Sequence, residues 1–267
     1  MANAEKALSE LNTLKDQIAL VTGASGGIGS AIASALAERS VWMCLSGRDH
    51  SKLDAVASQL RATSPRVECR PTDLTNDGEI EALVRFVTDQ FGRLDILVHC
   101  AGAIGHGKLE STPVASLDRQ YTANVRGPLR LTQLLLSSLK KPRGQVVFIN
   151  SSVGLTARAN TGHFSATQHA FKAIADSLRD EVNSENIRVL SVFPGRTATS
   201  RIETLQAEEG RAYQPELLLQ PADVASVVLN ALSLPWTAEV TNISIRPMQK
   251  PCHLPSSPVA GAAEHKG

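Results

Sequence analysis

The sequence predicts an α/β domain with a doubly wound, parallel sheet of seven strands and helices on both faces. Short apolar runs of strand length alternate with segments of helical periodicity from residue 17 to residue 245. Because strictly alternating strands and helices are joined by right-handed crossovers, the strands are expected to be parallel. The strand runs are apolar on both faces, which is typical of a sheet covered by helices on its two sides.

Each element is predicted from its pattern in chain order. The predicted strands are 17–22, 41–46, 67–70, 96–100, 145–150, 188–193 and 240–245. The predicted helices are 28–39, 51–60, 75–92, 115–139, 164–183 and a last one that begins at Pro221. Ser51 and Thr75 are the expected N-caps of the second and third helices, because a hydroxyl oxygen can accept a hydrogen bond from a free backbone N–H. Gly92 is expected to end the third helix, and Pro221 suits a first helical turn.

Length and composition indicate one domain with a buried core. The chain has 267 residues, of which 42% are hydrophobic. Residues 17–250 are assigned to this domain and residues 1–16 to an N-terminal extension. The segment 251–267 is rich in Pro, Ser and Ala, and we expect it to be a disordered tail.

Charge and cysteine usage argue against several function classes. The net charge is +1 with basic and acidic residues nearly balanced, so neither a nucleic acid nor a membrane is an expected partner. The four cysteines lie far apart with no CxxC pair, which argues against a metal site and fits a reducing compartment. No segment has the length and apolarity of a signal peptide or membrane span, so a cytoplasmic location is expected.

A glycine-rich turn follows the first predicted strand. It contains Gly23, Ser25, Gly27, Ile28 and Gly29, and it leads directly into the first helix. Glycines at this spacing permit a tight turn and let the backbone approach a pyrophosphate, while the helix N-terminus offers free N–H groups to the phosphates. An ordinary strand-to-helix turn is the alternative, but the position after a strand and before a helix favours dinucleotide binding.

The residues that follow the second predicted strand indicate whether NAD(H) or NADP(H) binds. An acid that binds the ribose is expected at residue 47, but Gly47 stands there, followed by Arg48 and Asp49. An arginine can pair with a 2′-phosphate through charged hydrogen bonds, so NADP(H) is favoured over NAD(H). Arg48 could instead lie in a solvated loop. Asp49 either caps the next helix or accepts ribose hydroxyls.

Together these motifs resemble the short-chain dehydrogenase/reductase family from residue 17 to residue 245. The family's TGxxxGxG pattern matches residues 22–29. Further matching positions are Asp73, Leu74, Ala101, Gly102, Asn124, Pro194, Gly195 and Thr199. The resemblance implies a single-domain Rossmann fold, an adenine contact at Asp73 and Leu74, and a nicotinamide-binding segment that includes Pro194, Gly195, Thr197 and Thr199. It also implies a homodimer or homotetramer.

The match fails at the active site. The family uses a Tyr-x-x-x-Lys pair with a serine thirteen residues before the tyrosine. Here Ser151 stands thirteen residues before Phe164, and Gln168 occupies the lysine position. The family's phenol supplies the proton in carbonyl reduction, and its lysine lowers the pKa of that phenol and binds the nicotinamide ribose. Phe164 carries no such proton, and Gln168 can bind the ribose only as a neutral group.

The other active-site positions keep their polar groups. Ser151 could hydrogen-bond a substrate carbonyl or satisfy local backbone groups. In the family, the residue at the Asn124 position holds a water that relays protons to the lysine. Without the lysine, that proton relay has no terminal group. Loss of a positioned acid lowers the rate by roughly 10²–10⁴-fold.

Histidine is the natural substitute for the phenol near neutral pH. His163 is the preferred candidate, because it immediately precedes Phe164 at the start of the active-site helix. The other candidates, each also open to a structural or solvated role, are His99, His106, His169, Tyr121 and Tyr213. Tyr213 lies in the segment 201–219, where the family carries a lid over the substrate.

Three functions remain open at this point. The first is an NADP(H)-dependent oxidoreductase that acts on a small carbonyl or alcohol substrate with a non-standard proton donor. The second is a non-redox enzyme, an isomerase, cyclase or lyase, on the same scaffold. The third is a catalytically inactive regulatory protein that binds the cofactor. The fold alone does not choose among them, and family membership favours the first.

Overall fold

The computed structural model describes residues 14–249. Its centre is one seven-stranded parallel sheet with the order β3-β2-β1-β4-β5-β6-β7. The strands are β1 Ile18–Thr22, β2 Trp42–Gly47, β3 Val67–Pro71, β4 Ile96–His99, β5 Gln145–Ile149, β6 Arg188–Pro194 and β7 Asn242–Ile245. The predicted fold class is confirmed, whereas the predicted tail and residues 1–13 of the predicted extension lie outside the described residues.

Helices connect consecutive strands and cover both faces of the sheet. They are α1 Gly27–Ala37, α2 His50–Leu60, α3 Asp77–Phe91, α4 Val114–Tyr121, α5 Gly127–Lys140, α6 Gly162–Val182, α7 Ser200–Glu208 and α8 Pro221–Leu232. Two buried clusters lie on opposite faces, one beneath α1 and α8 and the other beneath α3, α5 and α6. Between residues 14 and 249, no helix combines the length and apolarity needed to cross a bilayer.

Two predicted helix caps are wrong by one or two residues. The N-cap of α2 is Asp49, whose carboxylate accepts from a backbone N–H at 3.1 Å, and the N-cap of α3 is Asn76. The hydroxyl of Ser51 instead donates to the carboxylate of Asp49, and the hydroxyl of Thr75 donates to the carboxylate of Asp73. A carboxylate oxygen two residues earlier caps α2, and an amide oxygen one residue later caps α3, in place of the predicted hydroxyls. Gly92 ends α3 in the left-handed conformation, as predicted.

The long helix predicted over 115–139 is interrupted. A π-helical turn, Thr122–Arg126, separates α4 from α5 and contains Asn124. Pro128, in the first turn of α5, has no N–H to donate to the carbonyl four residues before it, so the regular α-helical ladder cannot continue through this point. Gly127 packs against the backbone carbonyl of Leu74, where a Cβ atom would overlap it. The interruption places Asn124 in the middle of the turn.

Candidate active site at the carboxyl edge of the sheet

The glycine-rich turn after β1 has the backbone shape that its spacing predicts. Gly23 has φ +65°, and a Cβ atom there would lie 2.7 Å from the backbone nitrogen of Ala101. A Cβ atom on Gly29 would overlap the carbonyl oxygen of Gly23. Among the described residues, the N–H groups of Gly27 and Ile28 have no acceptor, and the first turn of α1 carries no acidic side chain. These N–H groups are therefore free to bind phosphate oxygens.

Thr22 joins this turn to the end of β4. Its hydroxyl donates to the carbonyl of Val98 at 3.2 Å and accepts from the N–H groups of Cys100 and Ala101 at 3.1 and 3.3 Å. The residues Ala101 and Gly102 are thus fixed beside Gly23. Sequence reasoning assigned Thr22 to the motif but gave it no role, although a buried threonine at a strand end is a signal for such a bridge.

The end of β2 presents a cation and no anion to a ligand. Arg48 is exposed and forms no ion pair with the described residues, while the carboxylate of Asp49 is engaged as the cap of α2. A Cβ atom on Gly47 would lie 3.0 Å from the hydroxyl oxygen of Ser25, so an acidic side chain at residue 47 would crowd that hydroxyl. Arg48 and Ser25 are therefore left to face a ligand group together.

At the end of β3, Asp73 and Leu74 stand at the positions expected for an adenine contact. One carboxylate oxygen of Asp73 accepts from the backbone N–H and the hydroxyl of Thr75 at 2.9 and 2.8 Å. Leu74 is 7% exposed and packs against Gly127. The turn holds Asp73 in place and leaves its second carboxylate oxygen without a partner among the described residues.

The segment after β6 lies against the start of α1. A Cβ atom on Gly27 would come within 2.7 Å of the Thr199 methyl carbon. The hydroxyl of Thr199 caps α7, and the hydroxyl of Thr197 donates to the carbonyl of Gly195 at 3.1 Å. This segment, which begins at Pro194, therefore lies beside the glycine-rich turn, and the surface along their junction is called the groove below.

Arg201 crosses that groove. Its Nη1 atom donates to the carbonyl of Gly102 at 2.8 Å and has no carboxylate partner among the described residues. Desolvation and the nearby positive charge of Arg48 lower the pKa of Arg201. Two arginines without an acidic partner therefore stand along one groove, which is a favourable place for an anion. Sequence reasoning missed Arg201, because its partner lies 99 residues away in the chain.

Asn124 connects the loop after β4 to α6. Its amide oxygen accepts from the N–H of Ala103 at 2.6 Å, and its amide nitrogen donates to the carbonyl of the same residue at 2.9 Å. The amide nitrogen also donates to the hydroxyl of Thr167 at 3.0 Å. All the polar atoms of the Asn124 side chain are thus used to position this loop, so its role here is structural support of the site.

The active-site helix α6 carries Phe164 and Gln168 one turn apart. Both are buried, with 8% and 5% of their surfaces exposed. The side chain of Gln168 makes no hydrogen bond to the described residues and is available to a ligand, whereas the backbone carbonyl of Gln168 accepts from the Asn150 side-chain amide at 3.0 Å. The hydroxyl oxygen of Ser151 caps a short 3₁₀ turn through a 3.4 Å bond from the N–H of Val153. The two positions that carry the family's proton chemistry thus hold no ionisable group.

Three of the candidate histidines have distinct surroundings. His99 is buried with its Nε2 2.7 Å from the hydroxyl of Thr132, and burial lowers the pKa of His99 to about 3, which keeps it neutral in the core. His169 is exposed, and its Nδ1 lies 2.8 Å from a backbone carbonyl one turn earlier. Nδ1 of His163 is buried and has no hydrogen-bond partner among the described residues.

His106 is paired with an acid beside the active-site helix. Its Nδ1 lies 3.1 Å from a carboxylate oxygen of Glu209, and its ring centroid lies 6.2 Å from that of Phe164. Arg196 donates from Nη2 to both carboxylate oxygens of Glu209 at 2.9 and 2.7 Å. Sequence reasoning named His106 but missed Glu209 and Arg196, since nothing local in the chain joins them.

The predicted lid segment 201–219 contains most of α7 and a 3₁₀ turn, Pro215–Leu217. Tyr213 within it is half-buried and makes no hydrogen bond to the described residues. Tyr121 is 48% exposed at the end of α4. Neither tyrosine hydroxyl is held next to Phe164 by a contact in the structure.

Comparison with known proteins agrees with this arrangement of elements and motifs. A family profile described as short chain dehydrogenase matches residues 17–210. The chain belongs to the short-chain dehydrogenase/reductase family. An uncharacterized oxidoreductase of Staphylococcus aureus strain USA300 is 34% identical over 241 residues, which cover 89% of this chain and 100% of that protein. Glycine betaine reductase of Emericella nidulans is 33% identical over 243 residues, but the match covers only 19% of that longer protein.

Solved structures of short-chain dehydrogenases share the fold. A short chain dehydrogenase from Shigella flexneri, complexed with NADP, is 30% identical with a TM-score of 0.80, covering 87% of this chain and 98% of that one. An alcohol dehydrogenase from Thermococcus sibiricus, complexed with 5-hydroxy-NADP, is 26% identical with a TM-score of 0.80, covering 90% of this chain and 100% of that one.

The groove of this short-chain dehydrogenase/reductase fits a nicotinamide dinucleotide. A Cβ atom on Gly23 would collide with the backbone of Ala101, and one on Gly29 with the carbonyl of Gly23, so glycines at these positions allow the tight turn that a pyrophosphate requires. Free N–H groups at the start of α1 can bind the pyrophosphate, and Gln168 can bind a ribose hydroxyl. When bound, such a cofactor supplies or accepts a hydride at its nicotinamide ring.

Proposed function

We propose that this protein is an NADP(H)-dependent oxidoreductase that acts on a small carbonyl or alcohol substrate with a proton donor other than a tyrosine. The observation that carries the proposal is the intact glycine cradle beside an exposed Arg48 that has no acidic partner among the described residues. The cradle fits the dinucleotide, and the arginine supplies a charge that matches a 2′-phosphate.

The preference for NADP(H) rests on three neighbouring residues at the end of β2. Arg48 is available, Asp49 is engaged as a helix cap, and Gly47 leaves the Ser25 hydroxyl uncrowded. A 2′-phosphate would gain hydrogen bonds from a guanidinium and a hydroxyl, whereas no carboxylate is free there to accept from an NAD ribose. The NADP and 5-hydroxy-NADP complexes of the two similar proteins support the same choice.

The reaction requires a substrate that binds between Ser151 and the start of α6. In this proposal Ser151 hydrogen-bonds the substrate oxygen, and Gln168 orients the cofactor through its ribose. Phe164 fills the volume of the family's tyrosine without providing a proton. His163, the donor that the sequence favours, precedes Phe164 on the same helix and has one unpartnered ring nitrogen.

A second candidate function is a nucleotide-binding protein without turnover. The residues at the family's tyrosine and lysine positions favour this candidate, because Phe164 and Gln168 are both buried and neither can ionise. Such a protein would bind NADP(H) and leave it unchanged in the presence of carbonyl compounds. Binding and turnover must therefore be measured separately.

Titration of the purified chain with NADPH and NADH tests the cofactor assignment. We expect tighter binding of NADPH, and we expect Arg48→Ala to weaken NADPH binding by about tenfold or more while NADH binding changes little, since only NADPH carries the 2′-phosphate. Arg130→Ala is the control, because that arginine is partly exposed and pairs with Glu81 on the surface. Equal weakening of both nucleotides by Arg48→Ala, or no binding of either, contradicts the assignment.

Turnover is tested by following the nicotinamide absorbance of NADPH with 2,3-butanedione, cyclohexanone and benzaldehyde as probe carbonyls. Consumption of NADPH that depends on the carbonyl supports the oxidoreductase. Tight NADPH binding without consumption of any probe supports the second candidate.

A further inference from the structure

His106, Glu209 and Arg196 form a charged cluster that the cofactor assignment does not use. The three residues come from the loop after β4, the segment after α7 and the segment after β6, so three carboxyl-edge elements meet there. The side chains of His106 and Glu209 are 17% and 22% exposed. A histidine that is oriented by a hydrogen-bonded neighbour is a common arrangement for a proton-transfer group, and here that neighbour is a carboxylate held by Arg196.

The loop that carries His106 is fixed at several points. Asn124 bonds both backbone groups of Ala103, and Gln120 accepts from the N–H of Gly105 at 3.1 Å. On the other side of the histidine, the N–H of Gly107 donates to the carbonyl of Asn160 at 2.8 Å, just before α6. The imidazole is therefore held on both sides of its own position in the chain.

Glu209 is anionic in this setting. Partial burial acts to raise its pKa, but hydrogen bonds from Arg196 and His106, with the charges of Arg196 and Arg211, outweigh it, and the net effect lowers the pKa of Glu209. The carboxylate accepts at Nδ1 of His106, which leaves Nε2 as the nitrogen that can exchange a proton with a ligand. No hydrogen bond to a described residue uses that nitrogen.

We propose that His106, oriented by Glu209 and Arg196, is the proton donor to the substrate oxygen in place of the missing phenol. This assignment rests on the proposed function and deepens it. His106 is the histidine whose ring packs next to Phe164, the residue in the tyrosine position. His99 is neutral in the core and His169 is exposed, while His163 has no carboxylate partner.

The proton and electron balance of the step is simple. Reduction of the carbonyl takes a hydride, with two electrons, at carbon from the bound NADPH, and the carbon–oxygen π pair moves to the oxygen. His106 in its protonated form gives the Nε2 proton to that oxygen, which yields the alcohol and NADP⁺. The neutral imidazole, still bonded to Glu209 through Nδ1, regains a proton from solvent.

The test measures NADPH binding and turnover of 2,3-butanedione in wild type, His106→Ala and Glu209→Gln. We expect His106→Ala to lower turnover by about 10²-fold or more and to leave NADPH affinity within about twofold, because the residue donates a proton and does not bind the cofactor. Glu209→Gln should lower turnover by roughly tenfold, since the ring keeps a hydrogen-bond partner but loses the anion. His50→Ala, which removes an exposed histidine–aspartate pair, is the matched control and should not change turnover.

Imidazole added to the buffer provides a readout that a structural role would not give. A donor removed by His106→Ala can be replaced in part by free imidazole, so turnover of that variant should rise with imidazole concentration, and wild type should not respond. His106→Gln with an unchanged unfolding temperature keeps the test valid if the alanine variant does not fold.

Four results overturn the proposal. The first is full turnover in His106→Ala or His106→Gln, and the second is a loss of activity in His106→Ala that imidazole does not rescue. The third is a loss of activity in His163→Ala while His106→Ala stays active. The fourth is a wild type that binds NADPH but reduces none of the probe carbonyls. In each of these the cofactor assignment still stands. Failure to bind NADPH is a different result, because it removes the proposed function itself.

Discussion

The two halves of the carboxyl edge differ in how closely they follow the family pattern. At the ends of β1 and β3, Thr22, the glycine cradle and Asp73 match the pattern that the resemblance implies. At the start of α6, the frame of Ser151 and the helix is present, but Phe164 and Gln168 replace both members of the ionisable pair. Under the proposed function, cofactor binding and proton transfer therefore depend on sets of residues that share only Gln168, and substitutions elsewhere should change one without the other.

The largest loss of cofactor affinity is expected at the cradle. Gly23→Ala places a Cβ atom 2.7 Å from the backbone nitrogen of Ala101 at φ +65°, so the turn must distort. We expect NADPH affinity to fall by roughly 100-fold or more, about 2.8 kcal/mol. Gly92→Ala is the matched control, because Gly92 also has a positive φ, +73°, but has nothing within 4 Å of the added atom. Isothermal titration of both variants measures the difference, and equal affinities would show that the cradle does not hold the cofactor.

A gain of carbonyl reductase activity is expected from substitutions at the start of α6. Phe164→Tyr combined with Gln168→Lys restores the phenol and the cation one turn apart on α6, and a positioned acid contributes about 10²–10⁴-fold to rate. The carbonyl-dependent oxidation of NADPH should therefore rise in the double variant, and less in Phe164→Tyr alone, where no charge lowers the pKa of the phenol. Unchanged turnover with intact NADPH binding would mean that this half has been rebuilt for different chemistry.

A smaller effect is expected where Arg201 crosses the groove. Removal of its charge in Arg201→Ala should weaken NADPH and NADH alike by about tenfold, since both carry the same pyrophosphate. Arg48→Ala, in contrast, should discriminate between them. The weakening by Arg201→Ala should itself shrink at high salt, which screens exposed charges. A selective loss of NADPH alone in Arg201→Ala would place this arginine at the 2′-phosphate instead.

The smallest effect concerns the buried end of β4. The folded-state pKa of His99 is lowered from 6.5 to about 3, so between these values the unfolded chain binds a proton that the folded chain does not. Acidification therefore stabilises the unfolded state, by up to about 1.4 kcal/mol for each pH unit below 6.5. His99→Leu should reduce the fall in unfolding temperature between pH 7 and pH 5 by roughly 2–4 °C per kcal/mol removed. An identical fall in the two proteins would mean that His99 is charged when folded.

The sheet could be predicted because its strands are apolar on both faces. Strands β1, β4 and β5 match their predicted limits within one residue. Ile18, Leu97 and Val147 belong to short, continuous apolar runs, and these residues are buried in the sheet. The last strand begins two residues later than predicted, at Asn242, because its sequence alternates with polar residues at the sheet edge.

The interruption at Asn124 could not be read from apolar spacing, because the helical pattern continues on both sides of it. Pro128 was the one local signal, since it cannot donate to the carbonyl of Asn124. The sequence offered both Ser51 and Asp49 as caps of α2. Both are good capping residues, and only the three-dimensional entry angle of the chain decides between them.

The candidate site was predicted in part. Gly23, Arg48 and Phe164 belong to local patterns that sequence comparison detects. The pair of His106 and Glu209 joins residues 103 apart, and Arg201 bonds a carbonyl 99 residues away. Contacts at such separations arise from strand order in the folded sheet, and no periodicity in the chain encodes them.

The number of residues in the π-helical turn Thr122–Arg126 determines where α4 places its side chains against the loop after β4. A residue deleted from this turn would rotate α4 by about 100° relative to α5. Gln120 would then swing away from Gly105, and the loop that holds His106 would lose that anchor, while the strands beneath would keep their pairing. The extra residue thus acts as a spacer, and a one-residue deletion here would disable the loop in a molecule that is otherwise fully folded.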